Sequence, residues 1–182
     1  MPVYILKQTL TESSRKTIYA LEDSMFRFWY RFIPDNLATI NRGLSAIVYQ
    51  KIAPQITSFM GGVFEEICKQ YLWELNKQGK AAITFTDLGR WWGNDPKNKR
   101  ETAIDSMGTE GETSALFCEC KWINEKVDTA ILDTLVERSK LFHYTNVHFY
   151  VFAKTGFTKG CEDKANKLGN VKLVIIDEMM KS

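Results

Sequence analysis

Leu116-Phe117-Cys118-Glu119-Cys120-Lys121-Trp122 is the stretch on which the reading of this chain turns. Successive side chains of a β-strand point to opposite faces, so Glu119 and Lys121 share one face while Cys118 and Cys120 share the other. An acid and a base on one face of a strand otherwise built from Leu, Phe, Cys and Trp need a reason. Burying a charge is unfavourable unless it is paired, bound to a metal or open to a cleft. Just upstream, Thr102-Ala103-Ile104-Asp105 reads as another strand. Asp105 and Glu119 stand fourteen positions apart (119 − 105). A tight hairpin through Gly108-Thr109-Glu110-Gly111-Glu112 would set the two carboxylates side by side.

Two carboxylates and a lysine at one sheet edge suit hydrolysis of a phosphodiester. Carboxylate oxygens hold hard divalent cations such as Mg²⁺ or Mn²⁺. The cation acidifies a bound water and neutralises charge on the phosphate, and a lysine beside it orients the water or steadies the developing oxyanion. The same spacing also suits a structural ion-pair cluster at a sheet edge.

Around this stretch the chain reads as alternating helices and strands. A helix from about Gly62 to Asn76 places Phe64, Ile67, Cys68, Tyr71, Leu72 and Leu75 on one face, and Gly79 ends it. Strands are expected at 83–92, 101–107 and 114–122, a helix at 127–142, a strand at 147–153, a helix at 159–168 and a strand at 171–176. The first 58 residues differ. Val3 to Leu10 and Thr17 to Leu21 read as a hairpin across a polar turn at 11–16. Asp23 caps an aromatic helix over Met25–Phe32 that ends before Pro34, and further helices follow around 44–52 and after Pro54. The expected division is a mainly helical extension over 1–58 and an α/β domain over 59–182.

Composition sets wide bounds. With 182 residues, 45% of them hydrophobic and 13% aromatic, the chain can bury a core, which excludes intrinsic disorder. A formal net charge of +2 neither demands nor excludes nucleic acid. The four cysteines at 68, 118, 120 and 161, without a signal peptide, fit a cytoplasmic chain with buried thiols. Cys118-x-Cys120 looks like half a zinc site, but no second half stands in ligand spacing. No G-x-x-x-x-G-K-[ST] loop occurs, so no ATP site is expected in this chain.

Asp105 followed by Glu119-Cys120-Lys121 resembles the D…(D/E)-x-K signature of the PD-(D/E)XK, or restriction-endonuclease-like, nuclease superfamily. The order of helix, three strands, helix and strand is similar to its αβββαβ core. A set of segments in order resembles, more narrowly, a C-terminal domain of unassigned function in certain archaeal and bacterial ATPases. These are 23–32 (Asp23 to Phe32), Met60 to Cys68, Gly89-Arg90-Trp91-Trp92-Gly93, Ile104-Asp105 and Glu119 to Trp122. The resemblance implies Asp105 and Glu119 as ligands of Mg²⁺ or Mn²⁺, Lys121 as the catalytic lysine and Glu65 as an additional acidic ligand. Glu66 takes that place if the helix face is turned. No proline precedes Asp105, and Ala103 stands where relatives often carry Glu or Gln. The resemblance further implies an ATPase module in the intact protein, with 3–21 as the end of a winged-helix hairpin and this chain as a detached C-terminal part.

Arg90, Trp91, Lys97, Lys99 and Arg100 form a candidate nucleic-acid surface, where aromatic stacking and phosphate contacts combine. The bland alternative buries one of Trp91 and Trp92 and leaves the lysines solvated. Lys140, near the end of the second helix, is a further position that can point to the site. Phe26, Trp29, Tyr30 and Phe32 read as packing against a core or a partner domain rather than a ligand box. The leading expectation is a metal-dependent endonuclease domain acting on DNA, with no membrane attachment and with a homodimer left open. Its rivals are a catalytically silent DNA-binding or assembly domain of the ATPase, and a toxin-like RNase.

Overall fold

The structure, a computed structural model, describes residues 5–7, 19–21, 23–96 and 99–181. It divides into two compact units, Met1–Val63 and Phe64–Ser182.

In the first unit, strands β1 (Ile5–Lys7) and β2 (Tyr19–Leu21) pair antiparallel, with Ile5 opposite Leu21. The expected turn at 11–16 lies outside the described residues. Helix α1 (Ser24–Phe32) starts where its sequence signal says it should, because the Asp23 carboxylate accepts the N–H groups of Met25 (2.8 Å) and Phe26 (3.1 Å). Of its aromatic residues, Phe28 and Phe32 pack inward, one helical turn apart, and meet Phe59 at 5.7 Å. Phe26, Trp29 and Tyr30, on the other sides of the helix, are exposed. A 3₁₀ turn (Pro34–Asn36) and helix α2 (Leu37–Asn41) follow.

Helix α3 runs without interruption over Ser45–Lys77 and carries Pro54 inside it. The sequence reading broke this segment at Pro54 and began a new helix near Gly62. A proline removes one main-chain donor and strains one turn, but Pro54 and Gln50, whose carbonyl loses its partner, are both exposed to water. Burial of Val48, Ile52, Phe64, Cys68 and Leu72 along the same helix offsets the cost. Its end follows the glycine signal: Gly79 adopts a left-handed φ of 66°, and the Lys80 N–H donates back to the Leu75 carbonyl at 2.8 Å.

The second unit holds a five-stranded mixed sheet in the order β3 (Leu88–Asp95), β4 (Arg100–Glu110), β5 (Ser114–Lys121), β6 (Asn146–Ala153), β7 (Val171–Ile175). The first three run antiparallel; β6 and β7 continue parallel to β5, joined through helices α4 (Thr129–Ser139) and α5 (Lys159–Leu168). A short α6 (Ile176–Met179) closes the described chain. The α/β class and the expected order of helix, three strands, helix and strand are therefore present.

Two strand boundaries differ from expectation. The strand expected at 83–92 starts at Leu88, because the Asn76 side chain takes both main-chain groups of Phe85, at 2.8 and 3.3 Å, and leaves them no ladder to join. β4 extends through Glu110, so the hairpin turn is only residues 111–113, with Gly111 at φ 61°. Every residue of β5 from Ser114 to Cys120 is buried. Leu116, Cys118 and Cys120 face a core shared with Phe64, Cys68 and Leu72 of α3 and with Tyr150 and Phe152 of β6. On the opposite face Phe117 contacts Phe142 and Phe149, and α4 packs over β4, β5 and β6. Glu119 belongs to that second face.

Candidate active site

The β4–β5 ladder runs from Glu110↔Ser114 to Ser106↔Cys118 and stops. Continued by one step, the register sets Asp105 opposite Glu119. At that step the strands part, and the Asp105 carboxylate replaces the missing main-chain acceptor: its Oδ2 takes the Cys120 N–H at 2.8 Å. Asp105 is thereby fixed by main chain, at half-buried depth, with its second oxygen not committed to that bond.

Glu119 is 6% exposed. Lys121 Nζ lies 2.5 Å from its Oε1, and Arg138 Nη1 lies 3.0 Å from its Oε2. Burial pushes the Glu119 carboxyl above its ordinary value, the nearby Asp105 pushes it further, and Lys121 and Arg138 oppose the rise. Glu65, midway along α3 and near the start of this unit, behaves alike. Burial and then Asp105 raise it, while Arg90, at 3.8 Å, and Lys69 pull it down. Asp105 thus raises both glutamate carboxyls. Glu66 turns elsewhere, to Lys69 at 3.0 Å, so Glu65 is the acid on the site's side of the helix.

Asp105, Glu119 and Lys121 are brought together where β4 and β5 part, and Glu65, paired with Arg90, feels the Asp105 charge; others are not brought there. Lys140 is exposed and pairs with Glu137 rather than reaching the sheet. Arg90 is exposed beside Glu65. Trp91 is half-buried, edge-on to Phe142 at 4.9 Å, and Trp92 is half-buried as well. Lys99, in a left-handed conformation with φ 50° at the turn before β4, and Arg100, the first residue of β4, are exposed; Lys97 lies outside the described residues. Arg138 was missed by the reading of the sequence. The available signal was its place three residues after Leu135, which is fully buried, on the sheet-facing side of α4.

The donors that could hold a metal are all carboxylate oxygens, the set that Mg²⁺ and Mn²⁺ take, and Mg²⁺ commonly uses one or two protein carboxylates with water completing its shell. Asp105 and Glu119 are carboxylates of that kind, with one Asp105 oxygen taken by the Cys120 N–H and both Glu119 oxygens engaged by Lys121 and Arg138. Among the described residues no group of three His, Cys, Asp or Glu side chains stands ready to cage a metal on protein donors alone. The four cysteines are free and buried, and burial holds the Cys118 thiol well above its ordinary value, against thiolate chemistry.

Comparison with known proteins places this geometry in context. A family described as archaeal and bacterial proteins of unknown function matches residues 29–132. Over 169 residues the chain is 33% identical to an uncharacterized protein of Methanocaldococcus jannaschii, an alignment covering 90% of this chain and 36% of that protein. The chain therefore spans about a third of the length of the curated relative it matches. A crystal structure of a repair endonuclease from Pyrococcus abyssi is similar with a TM-score of 0.39 and 16% identity, over 62% of this chain and 46% of that one. Among the described residues no helix is long and apolar enough to cross a membrane.

Proposed function

The chain belongs to this family of archaeal and bacterial proteins of unknown function, and from that premise we propose that its second unit is a metal-dependent nuclease domain hydrolysing phosphodiester bonds of DNA. One observation carries the reading. Asp105 and the buried Glu119 converge where two strands part, beside Lys121, in the pattern that resembles the PD-(D/E)XK signature. Burial and the neighbouring Asp105 make the Glu119 carboxyl harder to ionise, and a buried carboxyl perturbed by a second acid beside it is a candidate functional group.

Within this reading each side chain has a task. Asp105, pinned by the Cys120 N–H, presents its other oxygen in a set direction. Glu119 supplies the second oxygen donor and Glu65 an outer one. A divalent cation held between Asp105 and Glu119 would neutralise charge on the scissile phosphate and make a water acidic enough to attack near neutral pH. Lys121, one quarter exposed, offers its ammonium to the attacking water or to a phosphate oxygen. Arg90, Lys99 and Arg100 are exposed and would meet phosphates along the strand. The intact protein would carry an ATPase module that this domain serves, and a homodimer would bring two such sites to the two strands of a duplex.

A second reading has its own observation. Both Glu119 oxygens are already engaged by cations, so the cluster is balanced by protein charges alone. That suits a silent domain that binds DNA or assembles with the ATPase. The two readings separate in one experiment: calorimetric titration of Mn²⁺ into wild type and Glu119→Gln, with plasmid nicking on the same samples. Saturable binding lost in the variant, with metal-dependent nicking, supports the nuclease. Absence of both in the wild type leaves the silent domain.

A further inference from the structure

Glu119 is held by two cations, one on each oxygen, with Asp105 as a second acid nearby. Lys121 comes from the same strand, two residues on; Arg138 comes from α4, nineteen positions on. The Glu119 side chain is only 8% exposed, whereas those of Lys121 and Arg138 are 26% and 25% exposed, so both cations reach from buried carboxylate to solvent. Arg138 touches Glu119 through Nη1, while its Nε is buried without a hydrogen-bond partner. A guanidinium is a planar fork suited to two parallel bonds with a carboxylate or a phosphate. Here it makes one and leaves a buried N–H unmet, which is unfavourable for a purely structural pair.

We propose that Arg138 is an internal counter-ion, seated on Glu119 until a divalent cation binds that carboxylate and then transferred to a phosphate of the nucleic acid. The inference rests on the nuclease reading and adds a residue and an order of events to it. Three positive groups crowded on one carboxylate repel one another. Lys121 is confined by its place on β5, beside Glu119. Arg138, on a helix end with a long, partly exposed side chain, is the group able to leave. A phosphodiester arriving over Glu119 offers the paired acceptors that its present position does not.

The test uses the whole chain with Mn²⁺, then Ca²⁺ and a duplex oligonucleotide. Arg138→Met should bind Mn²⁺ about tenfold more tightly than wild type, because the competitor for Glu119 is gone. Arg138→Lys, which keeps the charge, should stay near wild type. A residue that only supports the fold would weaken the metal site when removed, not strengthen it. In Ca²⁺ the salt dependence of DNA binding should fall by about one phosphate contact in Arg138→Met, and in EDTA it should not change. If Arg138→Met melts below the assay temperature, Arg138→Gln, a donor without charge, carries the same expectations. Equal or weaker Mn²⁺ binding in a folded Arg138→Met overturns the counter-ion role while leaving the nuclease reading in place. Failure of wild type and variant alike to bind Mn²⁺ overturns both.

Discussion

Asp105 and Cys120 are joined by a bond that belongs to neither a side-chain cluster nor a regular ladder: the Asp105 carboxylate accepts the Cys120 main-chain N–H at 2.8 Å, one step beyond the last paired residues of β4 and β5. One acid thereby holds two strands at their point of divergence while its other oxygen stays outside that bond. Structure and proposed chemistry share a side chain, and substitutions can separate them.

Asp105→Asn keeps an acceptor for the Cys120 N–H, and Asp105→Ala does not. Both should abolish metal-dependent nicking. Only the alanine variant should lose substantial stability, about 1–3 kcal/mol for a donor left unmet beside a buried strand. Thermal melting of the two proteins with a nicking assay checks this. Equal melting temperatures would remove the structural role given to the carboxylate.

The pH dependence follows from the raised Glu65 and Glu119 carboxyls. Their ordinary value is 4.5, and in the folded chain both sit above it. Their stabilising effect is therefore fully present below pH 4.5 and is lost as the pH rises through the folded values. Glu119→Gln should thus gain stability relative to wild type on passing from acid to neutral pH, read from melting curves across that range. Metal binding should show the opposite preference, tightening as the carboxyls ionise.

Asn76 is a structural test far from the chemistry. Its amide holds the Phe85 N–H and carbonyl and ends the irregular segment before β3. Asn76→Ala should cost about 1–3 kcal/mol. Hydrogen exchange at the Phe85 amide should accelerate more than exchange in β5.

Arg90 lies 3.8 Å from Glu65 with its side chain 47% exposed. Removing so exposed a pair should change stability by no more than about 1 kcal/mol. If Arg90 meets a phosphate, Arg90→Ala should reduce the salt slope of DNA binding by about one contact. An unchanged slope would confine Arg90 to partnering Glu65.

Much of the candidate site was legible as local pattern. Alternation along β5 put Glu119 and Lys121 on one face, and the distance to Asp105 allowed a hairpin; both are properties of neighbouring residues on one strand pair. The Asp23 cap and the Gly79 terminus were likewise local and were found where expected. Pro54 and the delayed start of β3 were not. A proline's local penalty yields to burial spread over a long helix, and Asn76 acts on Phe85 across nine positions.

By itself the sequence determined the α/β class, the order of elements and the set of acids with the lysine, because periodicity and turn chemistry act over a few residues. Only the tertiary structure decided what each acid faces. Arg138 reaches Glu119 because α4 folds back over β5, Lys140 two residues later points away, and Asp105 spends one oxygen on main chain where the strands part. Such contacts depend on the angle at which a helix crosses a sheet and on where a ladder ends, and packing of the whole core sets both.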